Sequence, residues 1–331
     1  MKIASWTNSR ILGFILISSL YILSACQKNT STARRLPGGS NVQVISNVKY
    51  GSNTDWKGNM QDLLLDVYIP PTADPNQKFP LAFFVHGGGF VDGDKDGSSN
   101  LMRSFASSNY VGVTINYRLG WTHTTQCEGD TTECKEAVYR AIQDARAAMR
   151  FVVAHAQEYH IDTNFIFLSG GSAGAVTVLN AYFMTQDEIN LIIPGVQTKL
   201  GGINNADNSL TNSYTVKAIA AVSGCLGSAD FINAANAIPV IFFHGEQDIV
   251  IPYNIGTTYD CPGMLTVEGS LPLYNRLLQL GVPSVLHADP NGGHGVYSDE
   301  FRFNNQLCFF NSVMSKHAES GYFEGEVSSC R

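Results

Sequence analysis

A serine set among glycines constrains this chain more than any other feature. Gly170-Gly171-Ser172-Ala173-Gly174 follows the apolar run Phe165-Ile166-Phe167-Leu168 and precedes Ala175-Val176-Thr177-Val178-Leu179-Asn180-Ala181-Tyr182-Phe183-Met184. A short apolar run before glycine reads as a buried strand, and the longer stretch after it is competent to form a helix. The join is then a sharp strand-to-helix turn. Glycines accept the backbone angles that such a turn needs, and the turn lifts the serine hydroxyl above the strand end. The chain has 31 glycines, so the pentapeptide alone carries little weight. Its flanks give it meaning.

Two further strand-to-loop junctions carry polar chemistry. Leu81-Ala82-Phe83-Phe84-Val85 runs into His86-Gly87-Gly88-Gly89-Phe90. A glycine-rich loop after a buried strand leaves backbone N–H groups free to face a ligand. Donors of this kind stabilise a developing oxyanion by roughly 3–4 kcal/mol each. The amides of Gly88 and Gly89 are the candidates, with that of Ala173 as a third. Pro239-Val240-Ile241-Phe242-Phe243 runs into His244-Gly245-Glu246-Gln247-Asp248-Ile249-Val250-Ile251-Pro252. Asp248 is the acid candidate there, and Glu246, two residues nearer the strand, competes with it. His294, in Asn291-Gly292-Gly293-His294-Gly295, is the base candidate. The order Ser172, Asp248, His294 is nucleophile, acid, base.

Taken together, HGGGF (86–90), INYRL (115–119), GGSAG (170–174), HGEQDIVIP (244–252) and GGHG (292–295) resemble the α/β-hydrolases of the esterase/lipase group, of the hormone-sensitive-lipase-like and carboxylesterase-like kind. The resemblance spans about residues 60–318. It implies an α/β fold with a mostly parallel central sheet flanked by helices, and loop insertions forming a lid. It also implies a carboxylic ester hydrolase with a Ser172-His294-Asp248 triad and an acyl-enzyme intermediate, using no cofactor and no metal. In such enzymes the triad acid precedes a Val/Ile-Pro pair, which favours Asp248 over Glu246. The chain departs from the family pattern at Ala175, where a further glycine is usual, and in segments 122–133 and 186–214. A serine peptidase of the same fold and a catalytically inactive binding protein are the alternative readings.

Alternating patterns at 41–50 and 62–69 suggest antiparallel edge strands, and 81–85, 111–116, 216–222, 239–243 and 283–288 suggest further strands. Residues 136–159 carry apolar side chains at helical spacing. Strands alternating with helices imply a parallel sheet whose site lies at the strand carboxyl ends. Segments 120–134 and 185–214 read as long loops beside the pocket, and Arg118 with Asp144 reads as a structural ion pair.

The first 25 residues read as a targeting segment: Lys2 and Arg10 precede a mostly apolar stretch, 11–23, which ends at Leu23-Ser24-Ala25-Cys26. This resembles a bacterial lipobox, with Cys26 as the lipidated residue and anchorage in the cell envelope as the consequence. Residues 26–40 read as a polar tether and 41–331 as the hydrolase domain. Setting Cys26 aside leaves Cys127, Cys134, Cys225, Cys261, Cys308 and Cys330, an even set in an exported chain. Cys127–Cys134 is the expected local pair and Cys308–Cys330 a second, and all six are expected to be oxidised. A net charge of −7 argues against nucleic acid as a partner. The expected partners are a small-molecule or polysaccharide-linked ester and, through the anchor, a membrane.

Overall fold

The computed structural model describes residues 41–72, 74–123 and 127–330. The leader 1–25, Cys26 and the tether lie outside the described residues. Among those described, no helix is long and apolar enough to cross a membrane.

The elements in chain order are β1 (Gln43–Thr54), β2 (Met60–Ile69), β3 (Phe79–Val85), α1 (Ser99–Ser107), β4 (Val111–Ile115), α2 (Thr131–Ala154), β5 (Ile161–Gly171), α3 (Ala173–Phe183), α4 (Gln186–Ile192), α5 (Val196–Leu200), β6 (Val216–Val222), β7 (Val240–Gly245), β8 (Ile255–Thr257), β9 (Thr266–Glu268), α6 (Ser270–Gln279), β10 (Ser284–Asp289), α7 (Asp299–Met314) and β11 (Gly321–Glu324). Nine strands form one sheet in the order β1-β2-β4-β3-β5-β6-β7-β10-β11, and β8 pairs with β9 apart from it. β1 and β2 run antiparallel to their neighbours, while β4, β3, β5, β6, β7, β10 and β11 are parallel. This is the α/β-hydrolase arrangement expected from the sequence.

Strand alternation sorts the core into two layers. Leu81, Phe83 and Val85 of β3, Ile166 and Leu168 of β5, and Val240 and Phe242 of β7 face the layer built by α2, α3 and α6. Ala82, Phe167, Ile241 and Phe243 face the opposite layer, where α1 and α7 contribute Met102, Phe105, Phe303 and Phe310. Inner strands apolar on both faces are what a sheet covered twice requires.

α2 begins earlier than its apolar spacing suggests. Asp130 caps it, accepting from the amides of Thr132 and Glu133 at 2.8 and 3.0 Å. Arg118 and Asp144 form the expected pair, with Nε 2.9 Å from Oδ1, and both are buried. Asp207 joins them, its Oδ1 3.3 Å from Arg118 Nη2 and 2.7 Å from Asn53 Nδ2. Burial and the nearby Asp144 carboxylate push the Asp207 carboxyl well above the usual carboxylate range. Segment 185–214 is not the bare loop expected. It carries α4 and α5, and Ile189, Val196 and Ile203 pack on Tyr139 and Ile142 of α2. At the far edge β11, unforeseen in the sequence, extends the sheet beside β10.

The cysteine pairing differs from expectation in one bridge. Cys308–Cys330 forms as expected, but Cys127 pairs with Cys261, 134 residues away, not with Cys134. Cys134 sits in the first turn of α2 with its side chain in the core, and the Cys127 sulfur is taken up by Cys261 instead. Cys134 and Cys225 are buried free thiols, and burial pushes both up to about 12. The expectation that all six are oxidised is corrected accordingly.

Candidate active site

Ser172 joins β5 to α3 as the residue between them, with φ 53° and ψ −122°, a conformation costly for a residue with a side chain. Neighbours impose it. The Ser172 amide donates to Val222 O at 2.8 Å, tying the turn to the end of β6, and Val176 N donates to Ser172 O at 2.9 Å as α3 starts. A Cβ on Gly174 would stand 2.0 Å from Val85 O, so glycine alone lets α3 pack this closely on β3.

His294 reaches the serine from the loop after β10. Its Nε2 is 2.7 Å from Ser172 Oγ and its Nδ1 2.8 Å from Asp248 Oδ2. The carboxylate only accepts, so Nδ1 carries the proton and Nε2 offers its lone pair to the serine hydroxyl. The sequence-predicted residues Ser172, His294 and Asp248 thus form one continuous hydrogen-bonded chain.

Asp248 is almost wholly enclosed. Burial by itself raises its carboxyl, but hydrogen bonds from His244 and His294 and from the Ile251 amide outweigh this and hold it below the usual carboxylate range. Its Oδ1 accepts from the amides of Val250 and Ile251 at 2.8 and 3.0 Å. Glu246 points elsewhere, its Oε1 accepting from the Tyr322 hydroxyl at 3.3 Å on β11. Its backbone amide donates to Asp289 O, and that of Gln247 to Gly292 O, which fastens the acid loop to the histidine loop. Gly245 allows this approach, since a Cβ there would meet Gly292 O at 2.2 Å.

Two residues that the sequence reading passed over support the chain from behind. His244, fully buried at the end of β7, has Nε2 3.2 Å from Asp248 Oδ2 and 3.0 Å from Ile251 O, and Nδ1 2.7 Å from Ser270 Oγ. Both neighbours of Nε2 are acceptors, so that nitrogen donates. Ser223 donates from Oγ to the His294 carbonyl at 3.0 Å. His244 opens the quoted HGEQDIVIP stretch, so its position gave a signal. Ser223 gave none.

The glycine loop lies against the serine. A Cβ on Gly87 would be 3.4 Å from Ser172 Cβ. Gly88 has φ 109°, and its carbonyl accepts from the amides of Val91 and Asp92, which turns the loop tightly. Ala173 is the first residue of α3, where helix amides have no partner within the helix and the helix dipole favours negative charge. His86 stacks on Tyr117, with ring centroids 4.5 Å apart, and burial lowers its pKa, so the imidazole is neutral.

Beside this centre lies a cavity of about 260 Å³ lined by His123, Tyr259, Met264, Ile249, Val250 and the Cys127–Cys261 bridge. A narrower apolar cavity of about 120 Å³ opens between α3, α4 and β9, with Val176, Ile189 and Val267 among its walls.

A parallel sheet with a serine at this elbow, and an imidazole and a carboxylate arriving from later strand ends, defines an α/β-hydrolase. Within that class the chain belongs to the BD-FAE family, matched over residues 65–237, just over half of the sequence. It is similar to the esterase LipI of Mycobacterium tuberculosis, 33% identical over 109 residues that cover 33% of this chain and 30% of the relative. It is also similar to a secreted lipase of Arthroderma benhamiae, 28% identical over 198 residues that cover 54% and 37%. The chain spans about a third of the length of these curated relatives. Among solved structures, a truncated carbohydrate esterase from gut microbiota superposes with a TM-score of 0.60 at 19% identity, covering 84% of this chain and 99% of that one. The butyrate-bound esterase 2 of Thermogutta terrifontis superposes with a TM-score of 0.56 at 17% identity, covering 86% and 97%. At such identities these two establish likeness of fold alone.

Proposed function

We propose that this protein is a serine carboxylic-ester hydrolase. The observation that carries the reading is the unbroken Ser172–His294–Asp248 chain at the sheet's carboxyl edge, with Ser172 held in a strained backbone conformation. Membership of the BD-FAE family and similarity to proteins named esterase and lipase support it.

In this reading His294 Nε2 takes the Ser172 proton as Oγ attacks the ester carbonyl. Asp248 holds the imidazole and stabilises its cationic form. The amides of Gly88, Gly89 and Ala173 stabilise the oxyanion, each at a value of roughly 10²–10³ in rate if it behaves as in other serine hydrolases. Nε2–H then protonates the departing alcohol and leaves an acyl group on Ser172. Water, deprotonated by His294, releases the acid. The substrate is a small-molecule or polysaccharide-linked ester.

The decisive test joins substitution with labelling. Ser172→Ala should lower turnover of p-nitrophenyl acetate by about 10⁶-fold with an unchanged melting temperature, and a phosphonate should label Ser172 alone. Retained turnover, or a label on another residue, overturns the assignment.

The same reading includes export and lipid anchoring through Cys26. The leader, the disulfide framework and the similarity to a secreted lipase support export. Loss of fatty-acid labelling in Cys26→Ala checks the anchor, and equal labelling of both proteins removes it.

A further inference from the structure

Tyr259 has a free hydroxyl beside the glycine loop. Several fully buried tyrosines place their hydroxyls on partners: Tyr50 on Asn116 O, Tyr117 on His86 O, Tyr139 on Gly201 O. The half-buried Tyr259 hydroxyl has no such partner among the described residues. A Cβ built on Gly89 would stand 3.4 Å from Tyr259 Oη, so the hydroxyl fronts the loop that offers the oxyanion amides.

The residue is held there against local preference. Tyr259 has φ 61° and ψ 16°, and Asp260 has φ 48°, two consecutive side-chain-bearing residues in the left-handed region. Such strain persists only where surrounding structure over-determines it. Three tethers do so. Tyr259 N–H donates to Val250 O at 2.8 Å, and Val250 N–H donates to Asp248 Oδ1 at 2.8 Å, which links Tyr259 to the acid through one residue. The Tyr259 ring lies 5.2 Å from that of His123, which meets Trp121 at 4.8 Å, and Trp121 Nε1 donates to Gly89 O at 2.8 Å. Two residues beyond Tyr259, Cys261 is bonded to Cys127. The phenol is thus fixed from the acid loop, from the glycine loop and by a covalent bridge. Burial raises its pKa, so it is a donor at neutral pH.

We propose that Tyr259 contacts the substrate directly, its hydroxyl donating a hydrogen bond to the ester carbonyl oxygen as that oxygen becomes an oxyanion against Gly88 and Gly89. The proposal rests on the serine-hydrolase reading above and adds a side-chain donor to its backbone amides. A donor aimed at developing charge is stronger in the transition state than in the ground state, so its loss falls on kcat.

Tyr259→Phe keeps the ring and its contacts and removes only the hydroxyl, which has no hydrogen-bond partner among the described residues. With p-nitrophenyl acetate the variant should lose at least about 10-fold in kcat, with KM within about twofold and the melting temperature unchanged. The rate of phosphonate labelling at Ser172 should fall by a similar factor, because the phosphonyl oxygen enters the same place. An unchanged kcat and labelling rate, or a rise in KM alone, overturns the proposal. A wild-type protein that phosphonate does not label at Ser172 overturns the underlying reading instead, so the two failures are distinct.

Discussion

Two halves of the site are built by different means. The serine elbow and the glycine loop grow directly out of strand ends, and the elbow is held by adjacent strands and by the helix that follows it. The facing wall of Trp121, His123 and Tyr259 stands on two loops far apart in sequence, joined by the Cys127–Cys261 bridge and by ring contacts. Where the sheet supplies rigidity, local sequence is enough to set geometry. Where loops supply the wall, a covalent link across 134 residues takes the place of a ladder.

The sharpest way to probe the sheet-held half is at the acid. Asp248→Asn should lower kcat by about 10⁴-fold, because the amide presents the wrong hydrogen-bonding pattern to His294 Nδ1. Glu246→Gln should leave kcat nearly unchanged, since Glu246 faces Tyr322. Steady-state kinetics on both variants decides, and the reverse ranking would move the acid role to Glu246.

The loop-held half should break at its bridge. Chain-entropy reasoning gives a closed loop of this length at most about 5 kcal/mol, against about 3 for the short Cys308–Cys330 loop. Cys127→Ser/Cys261→Ser should therefore melt lower than Cys308→Ser/Cys330→Ser, and should raise KM as well. Equal melting points and an unaltered KM would show that the wall stands without its bridge. In the same preparations Cys134 and Cys225 should resist alkylation until the protein is denatured, since burial disfavours both thiolates.

A third test reaches the sheet behind the site. His287 on β10 is enclosed by Phe243, Phe301 and Phe323, and burial pushes its pKa down from 6.5 to about 4. The unfolded chain then takes up this proton before the folded one does. The contribution is intact above pH about 6.5, is lost as pH falls toward 4, and changes no further below that. It amounts to roughly 3 kcal/mol. Chemical denaturation from pH 7 to 4 measures it, and His287→Phe should flatten that dependence.

What could be read from the sequence divides along the same line. Ser172, Asp248 and His294 each follow an apolar run and sit in a glycine-marked loop, so strand, turn and role were all local signals. The Cys127–Cys134 expectation failed because nearness in sequence was weighed without helix phase. Asp130 starts α2 early enough to place Cys134 in its first turn, where it is buried. α4 had a usable signal, the capping box from Thr185 to Glu188 ahead of Ile189. β11 had little: four residues, half exposed, added to the edge by stacking Phe323 on His287. Tyr259 offered nothing at all, since its importance comes from the company of loops that only folding assembles.

Strand order also fixes a length. In the sheet β6 and β7 lie between β5, which leads to Ser172, and β10, which leads to His294. At the usual spacing, three intervals amount to about 14 Å. The 290–297 segment must bridge that span, passing above the ends of two strands to deliver the 2.7 Å contact between His294 Nε2 and Ser172 Oγ. Its reach is thus a geometric requirement of the topology.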